Sequence, residues 1–356
     1  MSTGRRALAP RLGRRGVAAF AAGALAAAVL AGCGGAAGQP DPAPTPDDAV
    51  AAVVEVEPTV RVASLRGPTT MALVGLARDV EAGTAAHDYA MTTYGTPDEV
   101  VPRIVQGEVD VALLPANLAA VLHARTAGTD GAIQVAATSS LGTLEVLEHG
   151  DTVHAIGDLA GRTVLSPGKG TAPEHVLADL LRGSGLEPGV DVAVEFSSEA
   201  TEVAARLASE PGAIAVLPQP YATALTLGHP EVRRALSLTD VWAQVHPDSR
   251  IVTSVVVVRR AFAEEHPDLV AGVLDEIEAS GAWVAAHPAD AAPLVVAAGI
   301  APSPAVAEAA IPASGLEHLE GAALRDALEG YLAVLHAADP ASVGGSMPGD
   351  DFYLAP

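Results

Sequence analysis

Three kinds of residue are nearly missing from this chain of 356 residues, and each shortage excludes something. There is one cysteine, Cys33, so no disulfide can form within the chain and no cysteine cluster can bind a metal. Aromatic residues make up 3% of the chain, which disfavours a sugar site built on stacked rings. Lysine occurs once, as Lys169 in "SPGKGTAPEH"; the other basic residues are all arginine. Basic charge is short in general, with 20 Lys and Arg against 43 Asp and Glu and a net charge of −23.

The basic residues are also unevenly placed. "MSTGRRALAPRLGRRGVAAFAAGALAAAVLAGC" carries five arginines and no acid, then an apolar run from Val17 to Ala31, then the cysteine. That order is the pattern of an export signal, and the run is shorter than the ~18 residues of a membrane span. Leu30-Ala31-Gly32-Cys33 resembles a bacterial lipobox, which makes Cys33 the expected lipid-attachment residue and new N-terminus. The Arg14-Arg15 pair leaves the export route open between the general and the twin-arginine pathways. Residues 33–356 hold 15 basic against 43 acidic residues. Such a surface repels nucleic acid and anionic lipid, so the expected membrane contact is the lipid alone. "GGAAGQPDPAPTPDDAV" is poor in large apolar residues and reads as a tether.

The remaining ~300 residues suffice for two lobes, and they overlay on themselves at an offset of 103 residues. Gly67, Glu99 and Pro115 of "LRGPTT", "TPDEVVPRIVQG" and "VDVALLPAN" correspond to Gly170, Glu202 and Pro218 of "GKGTAP", "EATEVAARLAS" and "GAIAVLPQP". Short apolar runs alternate with helical-period text, which predicts parallel sheets covered by helices. Thr96 to Glu99 and Thr171 to Glu174 fit capping boxes at helix starts, with Gly107 and Gly183 as stops. The β-branched run "RIVTSVVVVRRAF" is expected to return the chain to the first lobe, with covering helices from Pro267 to Ala337. Trp283 is expected to anchor the first core, and His123, His149 and His175 to be surface or capping residues.

In open α/β sheets ligands collect at the carboxyl ends of strands, beside helix N-termini. The strand-to-helix junctions here are small, polar and glycine-rich. They nominate as ligand contacts Leu65, Arg66, Gly67, Thr69, Thr70, Tyr94, Pro115, Asn117, Ser139, Ser140, Gly168, Lys169, Gly170, Thr171, Gln219 and Tyr221. Lys169 is a compact charge between two glycines, and the expectation is that it faces an anionic or polar ligand group with the N–H groups of Gly170 and Thr171. Other chemistries fail on their spacing. "PGKGT" lacks the first glycine of a phosphate loop, since Thr163 stands there and Gly170 follows the lysine. No Gly-x-Ser-x-Gly elbow and no His-x-x-x-His pair occur, so neither a catalytic residue nor a metal or cofactor site is nominated.

"VRVASLRGPTT", "TPDEVVPRIVQGEVDVALLPANLAAVL", "IGDLAGRTVLSPGKGTAPE" and "AVLPQPY" together resemble the solute-binding proteins of ABC importers, in the group of nitrate, sulfonate, taurine and thiamine-precursor binders. The resemblance runs from about Val60 to Tyr353. It implies two similar Rossmann-like α/β lobes joined by a hinge of crossing strands (the periplasmic-binding-protein type II fold). It also implies a small ligand trapped on closure and delivery to an ABC permease. The expected organisation is a signal over 1–32, a tether over 33–58, one lobe from 59–148 with 251–356, and another from 149–250. The expected protein is a monomeric lipoprotein on the outer face of the cell membrane, without cofactor. Its ligand is left open among a sulfonate, a carboxylate, nitrate and a vitamin precursor. A ligand-sensing lipoprotein and an enzyme of the same bilobal fold remain the alternatives.

Overall fold

The computed structural model describes residues 57–355; the expected signal, Cys33 and all but the last two residues of the expected tether lie outside the described residues. Ten described strands form two sheets of five. The first contains β1 (Val60–Leu65), β2 (Tyr89–Tyr94), β3 (Val111–Pro115), β4 (Ile133–Leu141) and β10 (Val252–Arg259), in the order β2-β1-β3-β10-β4. The second contains β5 (Leu144–His149), β6 (Thr163–Pro167), β7 (Ala193–Ser197), β8 (Ile214–Pro218) and β9 (Val232–Ser237), in the order β7-β6-β8-β5-β9. The orders are the same once β1, β2 and β3 are matched to β6, β7 and β8. The offset of 103 residues superposes the bounds of β3 on those of β8, and the start of helix Pro97–Val105 on that of helix Ala200–Ser209. The two halves are therefore similar α/β lobes.

Each sheet is mixed, where the alternating pattern predicted parallel pairing. β10 runs antiparallel to β3 and β4, and β5 antiparallel to β8 and β9. The reason is topological. β4 ends at Leu141, and β5 begins at Leu144 in the other sheet. A strand that enters where its neighbours finish must run against them, and β10 enters the first sheet in the same way. This crossing pair is the hinge. Val255 to Val258 on β10 are each at most 1% exposed. Their alternating side chains feed two different core clusters, Val255 and Val257 one, Val256 and Val258 the other, as expected of a strand covered on both faces.

The crossing is tightly locked. The Leu141 N–H donates to the Gly315 carbonyl at 2.8 Å, and the Gly142 N–H to that of Ile251 at 3.0 Å. Gly315 has φ +57, and a Cβ there would lie 1.7 Å from the Leu141 carbonyl oxygen, so only glycine fits this approach. The far ends of the sheets are locked by buried carboxylates. Asp110 accepts from the Arg61 guanidinium at 2.6 and 2.7 Å and from Arg259 at 3.0 Å. Glu148 accepts from Arg233 at 2.9 Å and from the Thr152 and Val153 N–H groups at 2.8 and 3.0 Å. Burial alone would raise both carboxyls, but these donors outweigh it and hold both below the usual carboxylate range.

Several local expectations need correction. The helix Ala172–Gly183 does end at Gly183, but the left-handed turn that stops it is taken two residues on by Gly185, at φ +78. Trp283 is only half buried, stacked on His287 with the Arg78 guanidinium 3.9 Å above its ring, because Val284 takes the core position beside it. Trp242 is the buried indole, 5.7 Å from the Tyr331 ring of the helix Gly321–Ala338. His175 is buried with Nε2 unpaired among the described residues, and His123 is buried with Nδ1 on the Ile133 carbonyl. No described helix is long and apolar enough to cross a membrane.

Candidate functional site

A cavity of about 440 Å³ lies where the carboxyl ends of the two sheets meet, within the size range of small-molecule sites. The first sheet contributes Leu65, Arg66, Pro68 and Thr69 after β1, Gly95 and Pro97 after β2, and Pro115, Asn117 and Leu118 after β3. The second contributes Gly170, Thr171, Ala172 and Pro173 after β6, and Pro218 at the end of β8. The crossing segments add Thr143, Leu144, Ile251 and Thr253, and Tyr331 reaches in from the helix Gly321–Ala338. Five prolines, with Leu65, Leu118, Leu144 and Ile251, make most of this wall apolar.

Seven of the nominated residues therefore meet at one cavity: Leu65, Arg66, Thr69, Pro115, Asn117, Gly170 and Thr171. The other nine are placed elsewhere. Gly67 caps a four-residue helix with φ +124, and Thr70 is turned inward, bonded to Ser64 at 2.8 Å and to the Leu65 carbonyl at 2.7 Å. Tyr94 lies beneath the Arg103 guanidinium. Ser139 and Ser140 are buried in the hinge, their hydroxyls shared with Ser254 at 2.6 and 2.7 Å where the β4–β10 register slips. Gln219 is buried and holds Thr223 at 2.8 Å. Tyr221 lines a separate apolar cavity of about 370 Å³ between the helices Ala200–Ser209 and Tyr221–Gly228. Gly168 takes φ +64 to turn the chain, its N–H on the Ser197 carbonyl.

Lys169 is the instructive displacement. It is exposed, and its Nζ sits 5.9 Å from the Phe196 ring on β7, off the cavity wall. The Gly170 N–H expected to meet a ligand instead donates to the Glu174 carboxylate, and the Thr171 hydroxyl donates to the Gly168 carbonyl. Glu99 does the same in the first lobe, accepting from the Gly95 and Thr96 N–H groups at 2.8 and 3.2 Å. The positive ends of both helices are thus already neutralised by their own side chains.

The free polar groups at the cavity are few. Among the described residues Arg66 is its only charged one, and the exposed side chain has no ion pair or hydrogen bond to any of the others. The Asn117 amide and the Tyr331 hydroxyl likewise have no hydrogen-bond partner among them. Burial pushes the Tyr331 phenol well above its ordinary pKa, so it stays neutral. Thr69 donates to the Leu65 carbonyl, and Thr143 pairs with Thr253 at 3.5 Å. Sequence reasoning missed Tyr331, because nothing in a tail helix outside the repeat marks one tyrosine as reaching a cleft. Among the described residues no group of three or more His, Cys, Asp or Glu side chains is placed to hold a metal.

Neither a protein-family model nor a curated protein matches the sequence. Solved structures share its fold. An ABC transporter protein from Parabacteroides distasonis is 20% identical with a TM-score of 0.69, covering 84% of this chain and 99% of its own. The periplasmic aliphatic sulphonate binding protein of Escherichia coli is 17% identical at a TM-score of 0.62, covering 80% and 91%. The alkanesulfonate-binding protein of Xanthomonas axonopodis pv. citri, bound to MOPS, is 17% identical at 0.60, covering 79% and 94%. At identities this low, what these structures share with the chain is the two-lobed fold.

Proposed function

We propose that this chain is the solute-binding protein of an ABC importer, anchored by lipid at Cys33 on the outer face of the cell membrane. It captures a small polar or anionic organic solute between its lobes, releases it unchanged to a permease and works as a monomer. The observation that carries this reading is the cavity itself, whose walls are the strand-end loops of both sheets and the two crossing segments. A site split between two bodies and floored by their hinge couples binding to closure, which is what a permease must read in its cargo carrier. The crossings fit lobes that move about residues 142–143 and 250–251. The fold neighbours that bind sulfonates favour a ligand with one anionic group and an apolar body.

The test is a thermal-shift panel on the chain from Gly34 onward, covering alkanesulfonates, taurine, carboxylates, nitrate, thiamine precursors and divalent metals. A ligand at ~100 times its Kd adds about 2.7 kcal/mol to the folded state, a shift of a few degrees at this size. One organic class that shifts melting and is recovered intact supports the proposal. A compound that returns altered would show an enzyme instead, and a response to metals alone would remove the cavity from consideration.

A further inference from the structure

The cavity holds one deep polar group that has no protein partner among the described residues. Tyr331 is 1% exposed, yet its hydroxyl has no hydrogen bond to any described residue. Buried tyrosines ordinarily place their O–H on a partner; this hydroxyl is not among the side-chain atoms sealed from solvent without one, so it opens on the cavity, and a ligand that covers it has to supply the partner or leave the donor unmet. The ring itself is well held, with centroids 5.7 Å from Trp242, whose indole N–H donates to Ser249 Oγ at 3.3 Å. The hydroxyl therefore cannot swing to another partner without breaking that packing. It lines the same cavity as Arg66, and the two differ in depth: the arginine is exposed and the tyrosine is enclosed. The hydroxyls of Thr69, Thr171 and Thr143 in the same wall are already engaged with protein atoms.

We propose that Tyr331 is the deep specificity contact of the ligand site, and that the ligand is an organic monoanion with a hydrogen-bonding group at the end opposite its charge. The inference rests on the solute-binding reading of the cleft. The charged end lies at Arg66 near solvent, the apolar body runs along the proline and leucine wall, and the far group meets the phenol. A phenol both donates and accepts, so a hydroxyl or carbonyl at that end satisfies it. A ligand ending in a methyl group would leave the phenol unmet or trap a water on it.

Isosteric probes separate these cases: 1-pentanesulfonate against 4-hydroxybutane-1-sulfonate, and hexanoate against 5-hydroxypentanoate, titrated calorimetrically into the wild type and Tyr331→Phe. The expected result is that the wild type prefers the hydroxylated member of a pair by about tenfold, and that Tyr331→Phe abolishes the preference while keeping the affinity for the methyl member. Equal affinity of both members for the wild type would overturn the role of Tyr331 and leave solute binding intact. No binding by any of the four would overturn the organic-anion reading of the cleft, and with it this proposal. Phenylalanine keeps the ring against Trp242, and the unliganded melting temperature checks that the variant folds. Should it not, the wild type still decides: the hydroxylated probe alone should perturb the near-ultraviolet tyrosine absorption, and an identical response to both members would count against the proposal.

Discussion

The strands β1 and β6 begin 103 residues apart in the sequence, and the loops that follow them end with different tasks. Arg66 and Lys169 are equivalent under that offset, as are Gly67 and Gly170. Arg66 lines the cavity without an ion pair among the described residues, whereas Lys169 turns away onto Phe196. Among the described residues the three free polar side chains of the cavity, Arg66, Asn117 and Tyr331, belong to the first lobe or the tail. The second lobe offers Ala172, Pro173, Pro218, a glycine whose N–H is taken by Glu174 and Thr171, whose hydroxyl is taken by the Gly168 carbonyl. If the cleft binds a solute as proposed, a duplicated architecture has divided its labour: one side would recognise the ligand, and the other would close over it as a largely apolar lid. At the far ends of the sheets the lobes are instead alike, each with a buried carboxylate held by arginine.

The likeness of the far ends is where the largest effects are expected. Asp110→Asn should cost about 3 kcal/mol, at the low end for a buried pair because Arg61 stays partly hydrated. Glu148→Gln should cost a similar amount, and denaturant midpoints read both. The pH dependence has a definite sign. Each carboxyl titrates below its unfolded value, so its contribution is present at neutral pH and is lost as pH falls through the lowered native pKa. Each variant should therefore lose less stability than the wild type on acidification. If only one of the two substitutions matters, the lobes are not mechanically equivalent.

The cleft ends should separate sharply. Arg66→Ala is expected to weaken any anionic ligand found by the panel at least tenfold, about 1.4 kcal/mol, measured by calorimetry at low salt. The next effect is smaller and of opposite sign. Glu99→Gln with Glu174→Gln removes the two carboxylates that neutralise the helix starts beside the cavity. Affinity for an inorganic oxyanion such as sulfate should rise a few-fold, about 0.5–1 kcal/mol, while helix stability falls by a comparable amount. No gain for sulfate would mean that geometry, and not these charges, keeps inorganic anions out.

Much of the architecture was legible because the repeat is carried by spacing. Strand, helix and strand recur at one offset, and the Thr96–Glu99 pair and the run Val255–Val258 state their local structure directly. The reversed hinge strands were not legible, since periodicity along one strand says nothing about the direction of its neighbour. The site was half legible. Loop positions followed from where strands end, which is why seven nominated residues converge. Which way a side chain turns inside its loop depends on tertiary partners: Ser254 for Ser139 and Ser140, Thr223 for Gln219, Phe196 for Lys169. None of these partners lies near its residue in the text in a way that a pattern would register, except the four-residue step from Gln219 to Thr223.

The smallest expected effect decides the comparison most cleanly. Lys169→Ala should change ligand affinity by less than about twofold, because an exposed amine near an aromatic face contributes little and water readily replaces it. A lone lysine in an arginine-rich chain, set between glycines at a helix start, invites the opposite expectation, that it grips the ligand. The cleft argues against it on two counts: the amine is off the wall, and the adjacent N–H is answered by Glu174. If Lys169→Ala and Arg66→Ala cost the same on one ligand, the two loops share the charge, and the lysine must leave Phe196 when ligand binds. The second lobe would then be a recognition surface like the first, and the apolar-lid account of its cleft face would be wrong.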